Sequence, residues 1–249
     1  MGLLFLASLP LMPAERCQGY IIPAEQLIAF MAKNFSKFQT VIFIQSVQQE
    51  DESGEVGEEY FMEKIWMKSP DLFHAEILDH SMGRRIEPDS AYRQLCIANS
   101  GERLMKLLSK MGINVNLVAF ARVDERIAYR IGGKEPGCPK ILIEKDRFLP
   151  LLLTYRPSER SVPEMITVKF NYYRKMDQGW YPFEIIYSDG KNLREDYTIQ
   201  TFQANEPIDP ALFVMPSKRS GPDQASEQGQ ISPEEERLRQ IIKEFEEKY

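Results

Sequence analysis

Residues 63–79, EKIWMKSPDLFHAEILD, alternate apolar and polar side chains on both sides of a Ser69-Pro70-Asp71 break. A two-residue period sends successive side chains to opposite faces of an extended chain, so the stretch reads as strand, turn, strand. Ile65 and Met67 fall on one face, and Lys64, Trp66 and Lys68 on the other. Pro70 fixes its own φ and has no N–H for a ladder, which places it in the turn or at the first residue of a strand. Such a hairpin leaves an apolar face that further strands or a covering layer must bury.

The same pattern recurs along the chain. Strands are expected at 40–48, 60–67, 72–78, 92–99, 128–132, 140–144, 148–155, 165–174, 180–188 and 194–203. In the last three, Ile166, Val168, Phe170 and Tyr172 share one side, then Phe183, Ile185 and Tyr187, then Tyr197, Ile199 and Thr201. Between them lie an acidic, Gly-punctuated loop at 50–59, a turn at 82–85, Asn99-Ser100-Gly101, a Gly-rich turn after residue 132, a polar reversal at 144–147 and Asp189-Gly190. Two stretches change to helical spacing. Leu27, Ile28, Met31, Phe35 and Phe38 stripe residues 24–38 behind Pro23, and Leu104, Leu107, Leu108 and Met111 stripe residues 101–121 up to an interruption at Gly112. Residues 211–215 make a short closing element. Roughly ten short strands with frequent turns define a mainly β chain with helices, built on one large antiparallel sheet that must close, pair or be covered.

The ends read differently. Residues 3–12 are an apolar run too short to span a bilayer of about 30 Å as a helix. Cys17-Gln18-Gly19 follows it with small residues where a signal peptidase cuts, so residues 1–19 read as an export signal, although no Lys or Arg precedes the run. A short buried N-terminal helix is the alternative. Residues 20–216 form the folded domain and 217–231 a polar linker. Residues 232–249 open with Ser232-Pro233 and acids and carry Leu238, Ile241, Ile242 and Phe245 in a stripe. This amphipathic helix docks on the body, pairs with a partner or stays solvated.

A net charge of −6 argues against a nucleic-acid binder. His74 and His80 are the only histidines, and there is no CxxC or Cys/His cluster, so no metal site and no cofactor are expected. Cys96 and Cys138 remain after the signal and are candidates for a disulfide or two unpaired thiols. His74 and Glu76 share a strand face without forming a dyad, and Gly132-Gly133-Lys134 lacks the rest of a phosphate loop, so no enzyme activity is read. What remains is an aromatic-rich sheet. Phe43, Trp66, Phe73, Phe170, Ile185 and Tyr187 are candidates to line a hydrophobic cavity, with ordinary core packing as the alternative. Lys68 is a candidate for contact with a head group or partner, or an ordinary solvated lysine.

Residues 24–216 resemble the periplasmic outer-membrane lipoprotein carriers and lipoprotein-sorting proteins, the LolA-like family. The resemblance rests on Phe35-Ser-Lys-Phe38 followed by a strand with Gln45, and on Ile65-Trp-Met-Lys-Ser-Pro-Asp-Leu-Phe73. It continues through Ala98-Asn-Ser-Gly-Glu-Arg-Leu104 and Ile143-Glu-Lys-Asp-Arg-Phe-Leu-Pro150 to Ile208-Asp-Pro-Ala-Leu-Phe-Val-Met-Pro216. It implies a half-open antiparallel β-barrel covered by a helical lid, and a monomer that binds the acyl chains of lipoproteins or other lipids. The implied location is the periplasm, and the implied partners are an inner-membrane release complex and an outer-membrane receptor. The family's lid-controlling Arg before the hairpin proline is replaced here by Ser69. A second class stays open: a sensor or regulatory protein of the same fold that binds a membrane-anchored partner protein.

Overall fold

The computed structural model describes residues 21–50, 56–78, 89–157, 165–176, 179–190 and 194–214. The readings for residues 1–19, 82–85, 217–231 and 232–249 lie outside them. A helix, α1 (Ala24–Phe35), leads into β1 (Thr40–Glu50), β2 (Val56–Lys68) and β3 (Leu72–Ile77). A 3-10 turn (Ala91–Cys96) and α2 (Gly101–Lys110) follow. The chain then runs through β4 (Val118–Val123), β5 (Arg126–Gly132), β6 (Lys140–Glu144), β7 (Pro150–Tyr155), β8 (Ile166–Met176), β9 (Gly179–Ser188) and β10 (Arg194–Ala204). A second 3-10 turn spans Pro210–Phe213.

All ten strands join one sheet in the order β3-β2-β1-β10-β9-β8-β7-β6-β5-β4, each paired antiparallel to its neighbour. Strands β4 to β10 are one continuous meander, and β10 returns to pair with β1. β3 and β4 are the two ends of the strip, so the sheet is not closed. Ten strands at about 4.8 Å spacing would make a flat sheet about 43 Å wide. One apolar core nevertheless takes in Val118 of β4, Tyr129 of β5 and Phe73 of β3 together with the middle strands. A shared core from edge to edge means that the sheet curls around its contents.

α1 and α2 lie over the inner face. Leu27, Ile28, Met31 and Phe35 of α1 and Leu104 and Leu108 of α2 are buried in that core. The helices touch closely at Gly101, where an added Cβ would stand 3.4 Å from Ala29 Cα. Side chains tie the end of α1 down: Asn34 Nδ2 donates to the Arg147 carbonyl at 2.8 Å, and Asn205 Nδ2 donates to the Lys37 carbonyl at 3.1 Å. Gly179 is required at the start of β9, because any Cβ there would meet the Asn34 carbonyl oxygen at 2.2 Å.

Four expectations need correction. Residues 92–99 are not a strand. Tyr92, Leu95 and Cys96 are buried at three- and four-residue spacing, and Asp89 Oδ1 accepts from the Ala91 N–H at 2.9 Å, which starts a 3-10 turn. The helix expected over 101–121 stops at Lys110, where Gly112 takes a φ of +79°, and the remainder leads into β4. Tyr172 leaves the apolar side it was expected to share with Phe170: it has a φ of +45° and is 74% exposed, while Tyr173 packs inward. Thr201 also changes face, because the β1–β10 register shifts between Ile44 and Gln45 and brings Phe202 opposite Phe43 instead. Of the two readings left open for the cysteines, the structure has the unpaired one: Cys96 and Cys138 are free thiols, the first buried in the 3-10 turn.

Candidate functional site

The inner face of the sheet is aromatic, and its strands set the positions. β1 pairs Phe43 with Ile65 of β2 and with Phe202 of β10. β9 sets Ile185 between Tyr197 and Phe170, and Tyr187 between Glu195 and Val168. Phe43, Phe170, Ile185 and Tyr187 are therefore brought together on one face, all 2% exposed or less. Phe73 joins them from edge strand β3, opposite Met67. Trp66 does not: it points to the other face, where it meets His74 at 5.5 Å and lies under the Lys64 ammonium at 5.1 Å. Lys68 pairs with Leu72 at the end of the same strand, in phase with Trp66 and away from the hollow.

The 3-10 turn fills the hollow. Tyr92 lays its ring against Phe170 at 6.4 Å and Tyr187 at 5.9 Å. The backbone bonds of this stretch close on itself, from Arg93 to Ser90 and from Ile97 and Ala98 to Gln94. Asp89 anchors its start to β7 by accepting from the Tyr155 hydroxyl at 2.6 Å. Burial, reinforced by Asp89, pushes the Tyr155 hydroxyl well above the usual tyrosine range. Burial likewise pushes the Cys96 thiol up to about 12, against a smaller opposing pull from Arg93.

Sequence reasoning missed a polar centre inside this apolar hollow. Arg93 is 5% exposed, and its Nη2 lies 3.7 Å from Glu63 Oε1. Gln45 Nε2 donates to Glu63, and Gln49 Nε2 and the Tyr197 hydroxyl donate to Glu195. Glu63 and Glu195 are as buried as the core itself. Burial works against the charge on Arg93, but the oxygens of Tyr92, Glu63, Tyr197 and Tyr181 outweigh it and hold its pKa above the usual arginine value. The signal was present for the acceptors: Gln45, Glu63 and Glu195 sit in the apolar phase of their strands, where a polar side chain is out of place. Arg93 carried no such signal, because its segment reads as a strand.

At the β4 end the inner face is open. Phe30 of α1 meets Phe148 at 4.7 Å, Phe148 stacks on Tyr129 at 6.4 Å, and Tyr129 meets Phe120 of edge strand β4 at 5.1 Å. Phe30, Phe120 and Ile127 remain 42%, 45% and 47% exposed. This row has half-exposed rings at both ends and the buried Tyr129, a member of the core, between them.

No protein-family model and no curated protein matches the chain. Solved structures do resemble it. They include a LolA superfamily protein from Nitrosomonas europaea, at 9% identity and a TM-score of 0.49 over 78% of this chain and 98% of that one. A DUF1329 family protein from Desulfovibrio piger is 14% identical with a TM-score of 0.43, over 76% and 95% of the two chains. An outer membrane lipoprotein-sorting protein domain from Vibrio parahaemolyticus is 9% identical with a TM-score of 0.44, over 76% and 97%. Among the described residues, no helix is long and apolar enough to cross a membrane.

Proposed function

We propose that this protein is an exported, periplasmic carrier that shields acyl chains in the hollow of its sheet and serves the sorting of outer-membrane lipoproteins. The observation that carries the reading is the aromatic row Phe30–Phe148–Tyr129–Phe120, which spans the rim of the core with half-exposed rings at both ends and the buried Tyr129 between them. The sequence resemblance to the LolA-like family supports it. In this reading α1, α2 and the 3-10 turn are the lid, and residues 1–19 direct export. The implied partners are a membrane complex that releases the cargo and a receptor that accepts it. The chemistry asked of the site is transfer of hydrocarbon out of water, worth about 0.8 kcal/mol per CH₂. An acyl chain that displaces side chains from the hollow exchanges one apolar contact for another, so binding and release stay near balance.

The test is native mass spectrometry of the chain exported to a bacterial periplasm and purified without detergent. Adducts of lipid or acylated-peptide mass that disappear on organic extraction are expected. Phe30→Asp and Phe120→Asp, at half-exposed positions, should fold normally and lose the adduct. A clean mass that stays clean when lipopeptide is added would overturn the reading, and binding of a membrane-anchored protein by that empty chain would make it a sensor of the same fold.

A further inference from the structure

Two buried polar atoms of the hollow make no hydrogen bond, and they are of opposite kind. Gln45 is fully buried on β1; its Nε2 donates to Glu63 Oε1, and its Oε1 accepts from no donor. Arg93 is 5% exposed; its Nη2 lies 3.7 Å from that same Glu63 oxygen, and its Nη1 donates to no acceptor. The carboxylate dictates this arrangement. It accepts only, so it turns the NH₂ end of Gln45 and one arm of Arg93 toward itself, and the amide oxygen and the other arm are the ends left over. Both ends sit among rings. Phe43 and Gln45 follow one another on the inner face of β1, opposite Ile65 and Glu63. The guanidinium carbon lies 5.0 Å from the Tyr197 ring, 5.1 Å from Tyr92, 5.7 Å from Phe73 and 5.9 Å from Phe43. An unmet donor or acceptor in such surroundings is a cost that native interiors seldom leave standing. Here there is one of each, and both are set by groups that converge on a single oxygen.

Resting on the carrier reading, we infer that Gln45 Oε1 and Arg93 Nη1 form an amide-recognition subsite of the hollow, made for the linkage of an N-acylated cargo. The carbonyl oxygen of that linkage accepts from Arg93 Nη1, its N–H donates to Gln45 Oε1, and the acyl chain lies along the rings. Glu63 keeps the contacts it has. Other amphiphile heads serve only half of the pair: an ester, a tertiary amide or a fatty carboxylate brings acceptors without a donor, and an alkylammonium brings donors without an acceptor. A site built to bond an N–H rejects the analogue that lacks it, because its own acceptor then stays buried and unmet. The subsite therefore selects amide-linked acyl chains over ester-linked chains of the same length.

Three uncharged probes with the same ten-carbon acyl chain test this below their solubility limits: N-methyldecanamide, N,N-dimethyldecanamide and methyl decanoate. Their affinities are read by displacement of the neutral dye 1-N-phenylnaphthylamine and by native mass spectrometry of the full chain. N-methyldecanamide should bind at least tenfold more tightly than the other two. The dimethyl amide keeps an amide carbonyl and lacks only the N–H, so that difference isolates the donor. Gln45→Met should bring N-methyldecanamide down to the level of the dimethyl amide and leave the dimethyl amide unchanged. Arg93→Met should weaken both amides. Gln203→Met, at an exposed position of β10, should leave the preference intact. Equal affinities of the unaltered protein for the three probes, a comparison that needs no variant to fold, would overturn the subsite and leave the carrier standing; so would a preference that survives Gln45→Met. Binding of none of the three would overturn both.

Discussion

Tyr92→Ala is the perturbation that most directly probes the filled hollow. The Tyr92 side chain is 1% exposed and wedged between Phe170 and Tyr187, two residues fixed on adjacent strands of the sheet. Paired strands cannot close over the gap, so the cost should approach that of a large aromatic truncation with little relaxation, about 3–5 kcal/mol. With a urea slope of about 2 kcal/mol per molar, the unfolding midpoint should fall by about 2 M without a change of slope. The vacated space is lined by rings, and apolar cavities of that kind take up apolar guests. The variant should therefore bind 1-N-phenylnaphthylamine more tightly than the parent although it is less stable. Phe120→Ala, at a position 45% exposed, should cost under about 1 kcal/mol and weaken the dye instead. A midpoint shift of less than about 0.5 M for Tyr92→Ala, or no gain in dye binding, would refute the claim that this ring fills a hollow able to receive a guest.

Three further outcomes are expected. Gly179→Ala should destabilise by about 1–3 kcal/mol in chemical denaturation, because its Cβ would stand 2.2 Å from the Asn34 carbonyl oxygen, whereas Gly137→Ala, with nothing within 4 Å, should be near neutral; equal effects would refute the close approach. Stability should fall in alkali. The Cys96 thiol is pushed up to about 12 and the buried hydroxyls of Tyr155 and Tyr181 lie above their usual range, all chiefly by desolvation, so each stays neutral in the folded chain where the unfolded chain ionises. The thiol's contribution is whole below its ordinary value near 9 and is lost up to about 12, at up to about 1.4 kcal/mol per pH unit. Urea midpoints at pH 8 and 10.5 check this, and Cys96→Ala should flatten part of the slope. Iodoacetamide at pH 8 should label the half-buried Cys138 and spare Cys96, and Tyr92→Ala should raise Cys96 labelling at least tenfold, read by peptide mass; equal labelling in the parent would mean that the 3-10 turn is not seated.

The sheet was legible because its signal is local. Alternation in residues 63–79 gives the end of β2, the turn and β3 to within a residue, although β2 begins at Val56, inside the stretch expected to be loop, and Lys140–Glu144 is the strand expected there. Phe43, Phe170, Ile185 and Tyr187 shared a face because a two-residue period survives folding wherever register is regular. It failed where the backbone breaks phase: the positive φ at Tyr172, and the β1–β10 shift that exchanges Thr201 for Phe202. Trp66 was misplaced for a different reason. A large aromatic draws attention to itself, yet its phase with Lys64 and Lys68 already put it outside. The 3-10 turn was hidden because Tyr, Leu, Cys and Ile suit strands by composition, and only the Asp89-Ser90 start and the three-residue spacing of buried positions say otherwise. No local pattern reports that Arg93 and Glu63 meet, since a curled sheet decides which distant residues face one another.

The register that joins Val41 to Ala204 also fixes a sequence of events. β4 through β10 form from neighbouring hairpins, each closing a short loop, and so do β1 through β3. The ladder between β1 and β10 needs the whole intervening chain, and contacts that distant in sequence form slowly. During synthesis from the N-terminus, β1 must wait with one hydrogen-bonding edge bare until the last strand arrives, which is the exposure that invites pairing with another chain. The assembly of this protein is thus governed by its final strand, and any chain ending before Arg194 keeps an adhesive edge at its centre.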